Sequence, residues 1–442
     1  MTRMGAAYKM GSGRKIRKLR RLSEWAGKDR RGDDFFAEGT FAQLDVSAEL
    51  RRALAEQLCL DRMTRVQERC IPHALRGRDL IVAAKTGSGK TLGFLVPALE
   101  VLQRARFEHA QGTGVIVLSP TRELAQQTHD VAQKLVTYFS RSVGLLIGGA
   151  QRKAEALRLS RGVGVLIATP GRLLDHLMNT PDFIYRNLMV LVLDEADQML
   201  RAGFAEELDA ILRLLPAQRQ TLLFSATQTR EVEQLARLAL RAPILLAVDE
   251  AAPISRLQQG FILCAADHRF RLLYTFLKRN AHLKLMIFFS SCDSVRFHAD
   301  LLNFVDLPVL ALHGRQKQQR RLNTFYEFCN VPAGILVCTD VAARGLDIPR
   351  VDWIVQYDPP DEVREYIHRV GRTCRGAYAD GKALLFLLPS EQVYLAHLRQ
   401  GGVDMHEYEV SEQSLAPIQP QLEQLIEANH FLNQAARNAF KS

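Results

Sequence analysis

The chain has 442 residues, 47% of them hydrophobic, and a formal net charge of +10. That length admits two or three domains with separate cores, and no apolar run reaches the ~18 residues that a membrane span needs. The seven cysteines (Cys59, Cys70, Cys264, Cys292, Cys329, Cys338 and Cys374) have no CxxC or zinc-ligand spacing, which argues against a disulfide framework and for a reducing compartment.

The charge is placed unevenly. Residues 1–31 hold eleven Lys and Arg against Glu24 and Asp29, which leaves 47 basic and 46 acidic groups for the rest. The densest part is Gly13-Arg14-Lys15-Ile16-Arg17-Lys18-Leu19-Arg20-Arg21. Such a run reads as a disordered solvated arm, a nucleic-acid contact, a nuclear signal or an Arg-rich mitochondrial transit peptide. No apolar segment lies behind it, so no secretory signal is expected.

Further along, short β-branched runs alternate with longer helical stretches, the pattern of α/β doubly wound parallel sheets. Strands are expected at Leu80–Ala83, Val115–Leu118, Val143–Ile147, Val165–Ala168, Val190–Leu193 and Thr221–Phe224. A second series is expected at Leu285–Phe289, Val309–Leu312, Ile335–Cys338, Trp353–Tyr357 and Ala383–Leu388. The polar stretch from Val248 to Arg256 separates the two. The expected organisation is a basic tail (1–31), a first domain (32–247), a linker (248–257), a second domain (258–402) and an extension (403–442). In the extension a helix is expected from about Leu422 to Phe440. Its Leu422, Leu425, Ile426, Leu432, Ala436 and Phe440 fall roughly on one face, read as docking on the second domain.

Ala84-Lys85-Thr86-Gly87-Ser88-Gly89-Lys90-Thr91 joins the first strand to a helix. The glycines let backbone N–H groups curl around phosphate oxygens at the helix N-terminus. Lys90 supplies a point charge for the β- and γ-phosphates, and the Thr91 hydroxyl suits Mg²⁺. The strict loop pattern begins with Gly where this chain has Ala84. Asp194 and Glu195 end the strand Val190–Leu193. There one carboxylate can hold Mg²⁺, partly through water, while the next activates the attacking water. A helix N-cap is the plainer reading of that dipeptide, and Lys90 with Thr91 weighs against it.

Ser225-Ala226-Thr227 also follows a strand and reads as a turn, or as a link from the carboxylates to the opposing lobe. In the second domain, Arg369, Arg372 and Arg375 recur at i, i+3 and i+6 after His368. Three guanidinium groups on one side call for anions: surface carboxylates, or a γ-phosphate presented by the first domain. Asp340 and Asp347 flank a loop suited to nucleotide contacts or to helix capping.

In this order the motifs resemble the DEAD-box RNA helicases of superfamily two, across about residues 34–402. The resemblance implies two tandem RecA-like domains with a short helical C-terminal extension, and an RNA-stimulated ATPase that uses ATP and Mg²⁺ to unwind or remodel RNA. It puts Phe41 and Gln67 in the adenine-reading segment and Ala84 to Thr91 around the phosphates, with Gly345 and Asp347 also on the nucleotide, Asp347 at its ribose. Pro120, Thr121, Arg122, Gly148, Gly149, Thr169, Pro170, Gly171 and Arg172 become first-lobe RNA contacts, and Gln318, Arg321 and Thr339 second-lobe ones. Ser225, Thr227 and His368 become coupling residues, and Arg369 and Arg372 meet the γ-phosphate.

Three features depart from the family pattern. Cys59-Leu60 and Met63 stand where Gly-Phe and Pro are usual, the Phe41–Gln67 spacing is one residue longer, and Cys374 replaces Ala or Gly. The segments Ala83–Thr86, Phe288–Cys292, Val355–Pro360 and Leu422–Asn429 resemble one clade in particular, the eukaryotic nucleolar helicases of large-subunit ribosome assembly, whose members extend past the position of Ser442. The expected partners are pre-rRNA and pre-ribosomal proteins, with no membrane, a monomeric chain and a nucleolar location. A mitochondrial RNA helicase, an ATP-dependent RNA clamp or scaffold, and a DNA-dependent motor are the alternatives.

Overall fold

The computed structural model describes residues 36–85, 87–248, 257–340, 348, 351–373 and 381–442. The basic tail, nearly all of the linker, Thr86, Gly345, Asp347, Cys374 and Arg375 lie outside these residues.

Phe36–Thr40 (β1) pairs antiparallel with Arg62–Thr64 (β2) ahead of the first sheet. That sheet contains Leu80–Ala83 (β3), Val115–Leu118 (β4), Val143–Leu146 (β5), Val165–Ala168 (β6), Val190–Leu193 (β7), Gln220–Ser225 (β8) and Ile244–Ala247 (β9). The strands are parallel, in the order β5-β6-β4-β7-β8-β3-β9. Every residue of β4, β6 and β7 is buried, because helices cover both faces of the sheet. This is why these strands read as unbroken Val, Ile and Leu rather than as an alternation. The exposed Leu245 of β9 breaks that signal, and β9 was not expected from the sequence.

The second sheet contains Leu257–Leu263 (β10), Lys284–Phe288 (β11), Leu310–Leu312 (β12), Gly334–Cys338 (β13), Trp353–Gln356 (β14), Gly381–Leu387 (β15) and the short His406–Glu407 (β16). It too is parallel, in the order β12-β13-β11-β14-β15-β10-β16. The two sheets with their flanking helices are the two doubly wound domains expected above.

The sheet order decides the placement of function. In a parallel sheet all loops after strands emerge at one edge. In the first lobe, the loops after β7, β8 and β3 are neighbours, and they carry Asp194, Ser225 and the phosphate loop. The loops after β5, β6 and β4 are also neighbours, and they carry Gly148, Thr169 and Pro120. The edge is thus divided into two adjacent chemical halves.

The C-terminal extension differs from the single helix expected. It forms two helices, Gln419–Ala428 and His430–Lys441, broken at Asn429, whose side-chain oxygen accepts from the Phe431 and Leu432 amides. That Asn is a good N-cap, and it restarts the helix in a new direction. Leu422 and Leu432 bury against Leu301 of the second lobe, whereas Phe440 is 94% exposed and off the docked face.

Beneath the second sheet, His298 is buried among Phe289, Tyr357, Phe270 and Phe297, its Nδ1 2.8 Å from the Ser294 carbonyl oxygen. Burial pulls its pKa down to about 4, with nearby Arg269 in the same sense and Asp358 opposing. The unfolded chain therefore takes up a proton near pH 6.5 that the folded chain refuses until about pH 4. Stability is complete above pH 6.5 and falls between there and pH 4, by roughly 3 kcal/mol from this group. Thermal unfolding midpoints across that range should drop less steeply for His298→Leu than for the wild type.

Candidate nucleotide site and nucleic-acid groove

The phosphate loop begins where the Ala84 amide donates to the Ser225 carbonyl, which ties β3 to β8. Gly87 and Gly89 take φ of 84° and 88°, the left-handed region that L side chains avoid. At Gly89 a Cβ would also lie 2.6 Å from the Gln67 amide nitrogen. Gln67 is the reason: its Oε1 accepts from the Thr64 amide at 2.8 Å and its Nε2 donates to the Gly89 carbonyl at 2.9 Å. In this structure the residue assigned to the adenine braces the phosphate loop, and the Phe41 ring is packed into the first-lobe core. Cys59 adopts φ 53°, which accounts for the glycine usual at that position.

Lys90 is the first residue of the helix Lys90–Arg104, and its ammonium lies 3.3 Å from Glu195 Oε1. Asp194, Glu195 and Lys90 are all nearly inaccessible to solvent. Burial, with the neighbouring Glu195 and Asp197 charges, pushes the Asp194 carboxyl up to about 7 against the pull of Lys90. Glu195 titrates the other way: burial opposes it, but Lys90, Arg372 and His368 hold its carboxyl below the usual range. Glu195 also sits at φ 52° without being glycine, a strained backbone of the kind kept at functional positions.

The coupling residues form a chain across the lobes. Thr227 Oγ1 donates to Asp197 Oδ2 at 2.9 Å, and Ser225 Oγ donates to the Thr227 carbonyl. Next to Asp197, Gln198 places its amide nitrogen 3.1 Å from His368 Nε2 of the second lobe. Burial lowers the His368 pKa, against the pull of the Glu195 and Asp197 charges. From the same turn the Arg372 charge acts on Glu195.

The two arginines part company here. Arg369 makes a two-pronged pair with Asp340 at 2.6 and 2.8 Å, donates to the Asp358 carbonyl, and lies over the Phe288 ring. The resemblance puts both guanidinium groups at the γ-phosphate. The structure pairs Arg369 within its own lobe, while Arg372 donates from Nε to the His368 carbonyl at 3.3 Å.

The other half of the edge opens into a cleft of about 460 Å³ between the lobes. Pro120, Thr121, Arg122, Gly148, Thr169, Gly171 and Arg172 line it with Glu123, Asp175, Phe204 and Arg321. Arg122 lies over Gly148 so closely that a Cβ there would sit 2.8 Å from the guanidinium. From the second lobe, Gln318 Nε2 donates to Glu123 Oε1 at 3.0 Å, and Arg321 pairs with the same oxygen at 2.8 Å. Thr339 is buried after β13, its amide donating to the Leu312 carbonyl. Two turns along the helix Gln318–Asn330, the Tyr326 hydroxyl donates to Asp130 Oδ2 on the helix Arg122–Leu135 at 2.5 Å.

With this geometry in view, two family descriptions match the chain: DEAD/DEAH box helicase over residues 64–235, and helicase conserved C-terminal domain over residues 268–377. The ATP-dependent RNA helicase has1 of Emericella nidulans is 54% identical over 407 residues, which cover 91% of this chain and 67% of that protein. The chain belongs to the DEAD-box family of ATP-dependent RNA helicases. The human ATP-dependent RNA helicase DDX18 is 54% identical over 413 residues, covering 92% of this chain and 62% of that protein. The chain thus spans about two thirds of the length of these relatives. Among solved structures, Mss116p bound to ssRNA and AMP-PNP superposes with a TM-score of 0.77 at 28% identity, over 92% of this chain and 87% of that one.

Three partners in this DEAD-box protein escaped the sequence reading. Gln198, Asp130 and Tyr326 belong to no motif, and each contact joins residues about 170 to 200 positions apart. No local signal could have paired them. The Tyr326–Asp130 bond exists only while the lobes are docked. Hydrogen bonds to this phenol and to His129 and Gln126 hold the Asp130 carboxyl below its usual range, although burial opposes them. Tyr326→Phe and Asp130→Asn should each weaken docking by about 1–2 kcal/mol. Energy transfer between dyes on the two lobes, with RNA and a non-hydrolysable ATP analogue present, should show a several-fold smaller closed fraction.

Proposed function

We propose that the chain is an RNA-stimulated ATPase whose two lobes clasp ATP and a strand of RNA together, and so separate short duplexes locally. The observation that carries this reading is the 3.1 Å contact of Gln198, beside the buried carboxylates, with His368 of the other lobe, which brings the segment bearing Arg372 to the edge that holds Lys90 and the phosphate loop. In this reading Lys90, the phosphate loop, the carboxylates and the second-lobe arginine together bind and hydrolyse a nucleoside triphosphate.

In this reading Lys90 exchanges Glu195 for the β- and γ-phosphates as ATP enters the loop between Gly87 and Thr91. Glu195 then accepts the proton of the attacking water, and Arg372 meets the charge that develops on the γ-phosphoryl group. Arg369 acts at one remove, holding its helix through Asp340. The residues also fit a magnesium ion. Asp194 is a carboxyl whose pKa burial raises, and Glu195 Oε2 and Asp197 Oδ1 are buried without a hydrogen-bond partner. Asp194, partly through water, and the Thr91 hydroxyl would hold the ion, whose chemistry is to neutralise charge on the phosphates.

The groove supports RNA as the second ligand. It offers glycines, backbone groups, Thr hydroxyls and Arg, a set suited to phosphates and sugars rather than to base edges. A contact set of that kind reads shape and not sequence. Pre-rRNA of the large ribosomal subunit, bound in the nucleolus with pre-ribosomal proteins nearby, is the substrate supported by the clade resemblance and by the basic segment 1–31.

Glu195→Gln should keep fluorescent ATP-analogue binding and lose about 10²-fold or more in RNA-stimulated turnover. Arg372→Ala should lose on the order of 10³-fold in the same assay with nucleotide binding retained. Full turnover by either variant would remove that residue from the chemistry.

A further inference from the structure

We propose that Glu155 is a positioning residue for RNA engagement, a buried carboxylate that fixes Arg172 and the Gly148–Gly149 loop as one unit. The inference rests on the RNA-binding reading of the cleft and deepens it. Glu155 belongs to no motif, and it does not line the cleft itself.

Glu155 lies on the helix Arg152–Ser160, with its side chain 4% exposed. Its Oε1 accepts from the Ile147 amide at 3.3 Å, the residue just before Gly148. Its Oε2 lies 3.2 Å from Arg172 Nη1 and 3.2 Å from Nε2 of the fully buried His176. Arg172 in turn donates from Nη2 to the Ala150 carbonyl at 3.3 Å, so the loop is held at both ends. Arg172 and His176 ride on the helix Pro170–Asn179, which follows β6, and the loop follows β5. One carboxylate therefore joins two neighbouring strand ends on the nucleic-acid half of the edge.

A charge is needed there for a physical reason. The Arg172 guanidinium is only 13% exposed, and a shielded cation without its partner turns away to find water. Losing Glu155 would leave Arg172 without that restraint and detach the loop on which Arg122 rests. The nucleotide half, built on β7, β8 and β3, has no bond to this carboxylate among the described residues.

The test uses the full chain, an oligouridine strand and ATP. Glu155→Gln should raise the RNA concentration giving half-maximal ATPase stimulation by about tenfold, the scale of one charge-assisted contact. Its kcat at saturating RNA and its ATP-analogue affinity should stay within about twofold of wild type. Arg172→Ala should show the same shift, and the double variant should be no worse than either single one. Half-saturation equal to wild type, additive losses, or nucleotide affinity falling in parallel would each overturn the proposal. Should Glu155→Gln fail to fold, Glu155→Asp keeps the charge but falls short of the loop amide. It should give a smaller shift in half-saturation at an unchanged melting temperature, and no shift would overturn the proposal. A wild-type ATPase indifferent to RNA would instead defeat the underlying reading.

Discussion

Lys90, Asp194 and Glu195 lie packed at one edge of a parallel sheet, where only 6%, 3% and 4% of their surfaces reach solvent. Charges taken out of water need partners, and one cation cannot serve two carboxylates equally. Glu195 takes the ammonium, and Asp194 is left with its proton held more tightly. In the proposed function that imbalance suits charges brought by ligands. Nucleotide phosphates would engage Lys90, and a divalent ion would relieve Asp194. The strained backbone of Glu195 and the buried, unbonded oxygens of Glu195 and Asp197 belong to the same condition.

The second lobe completes the site from outside. His368 reaches Gln198 across the seam, and Arg372, just past the end of the same helix, is tied to the His368 carbonyl. About the same closure, the cleft gains Arg321 and Gln318 against Glu123. In the proposed function, nucleotide pocket and nucleic-acid groove share one mechanical variable, the docking of the two lobes. A ligand that favours docking at either site improves the other, which is coupling in the thermodynamic sense. Arg369 has the complementary task of keeping its own lobe stiff, through Asp340 and the Phe288 ring.

Much of this was legible in the chain itself. Buried parallel strands announce themselves as short apolar runs, and the strands carrying the phosphate loop and the Asp194–Glu195 pair were found to within a residue. Glycines at 87 and 89 could be read as a phosphate cradle because few other residues tolerate that backbone. The edge strands β9 and β16, the two-stranded β1–β2 unit and β10 were missed, since exposed strands and the polar Gln258-Gln259-Gly260 start of β10 lack that signature. The break at Asn429 was missed for another reason. An apolar face continued through it, and a cap residue outweighed the periodicity.

Sequence by itself determined which chemistry is present: a phosphate loop, a carboxylate pair and spaced arginines, because each needs particular side chains at particular local spacings. Tertiary structure alone decided how they are used. It paired Arg369 with Asp340, and it set Gln67 against Gly89. It also gathered Ile147, Arg172 and His176 around Glu155, and brought Tyr326 to Asp130. These outcomes depend on distances between residues far apart in the chain. Such distances follow from strand order and lobe docking, which no local pattern encodes.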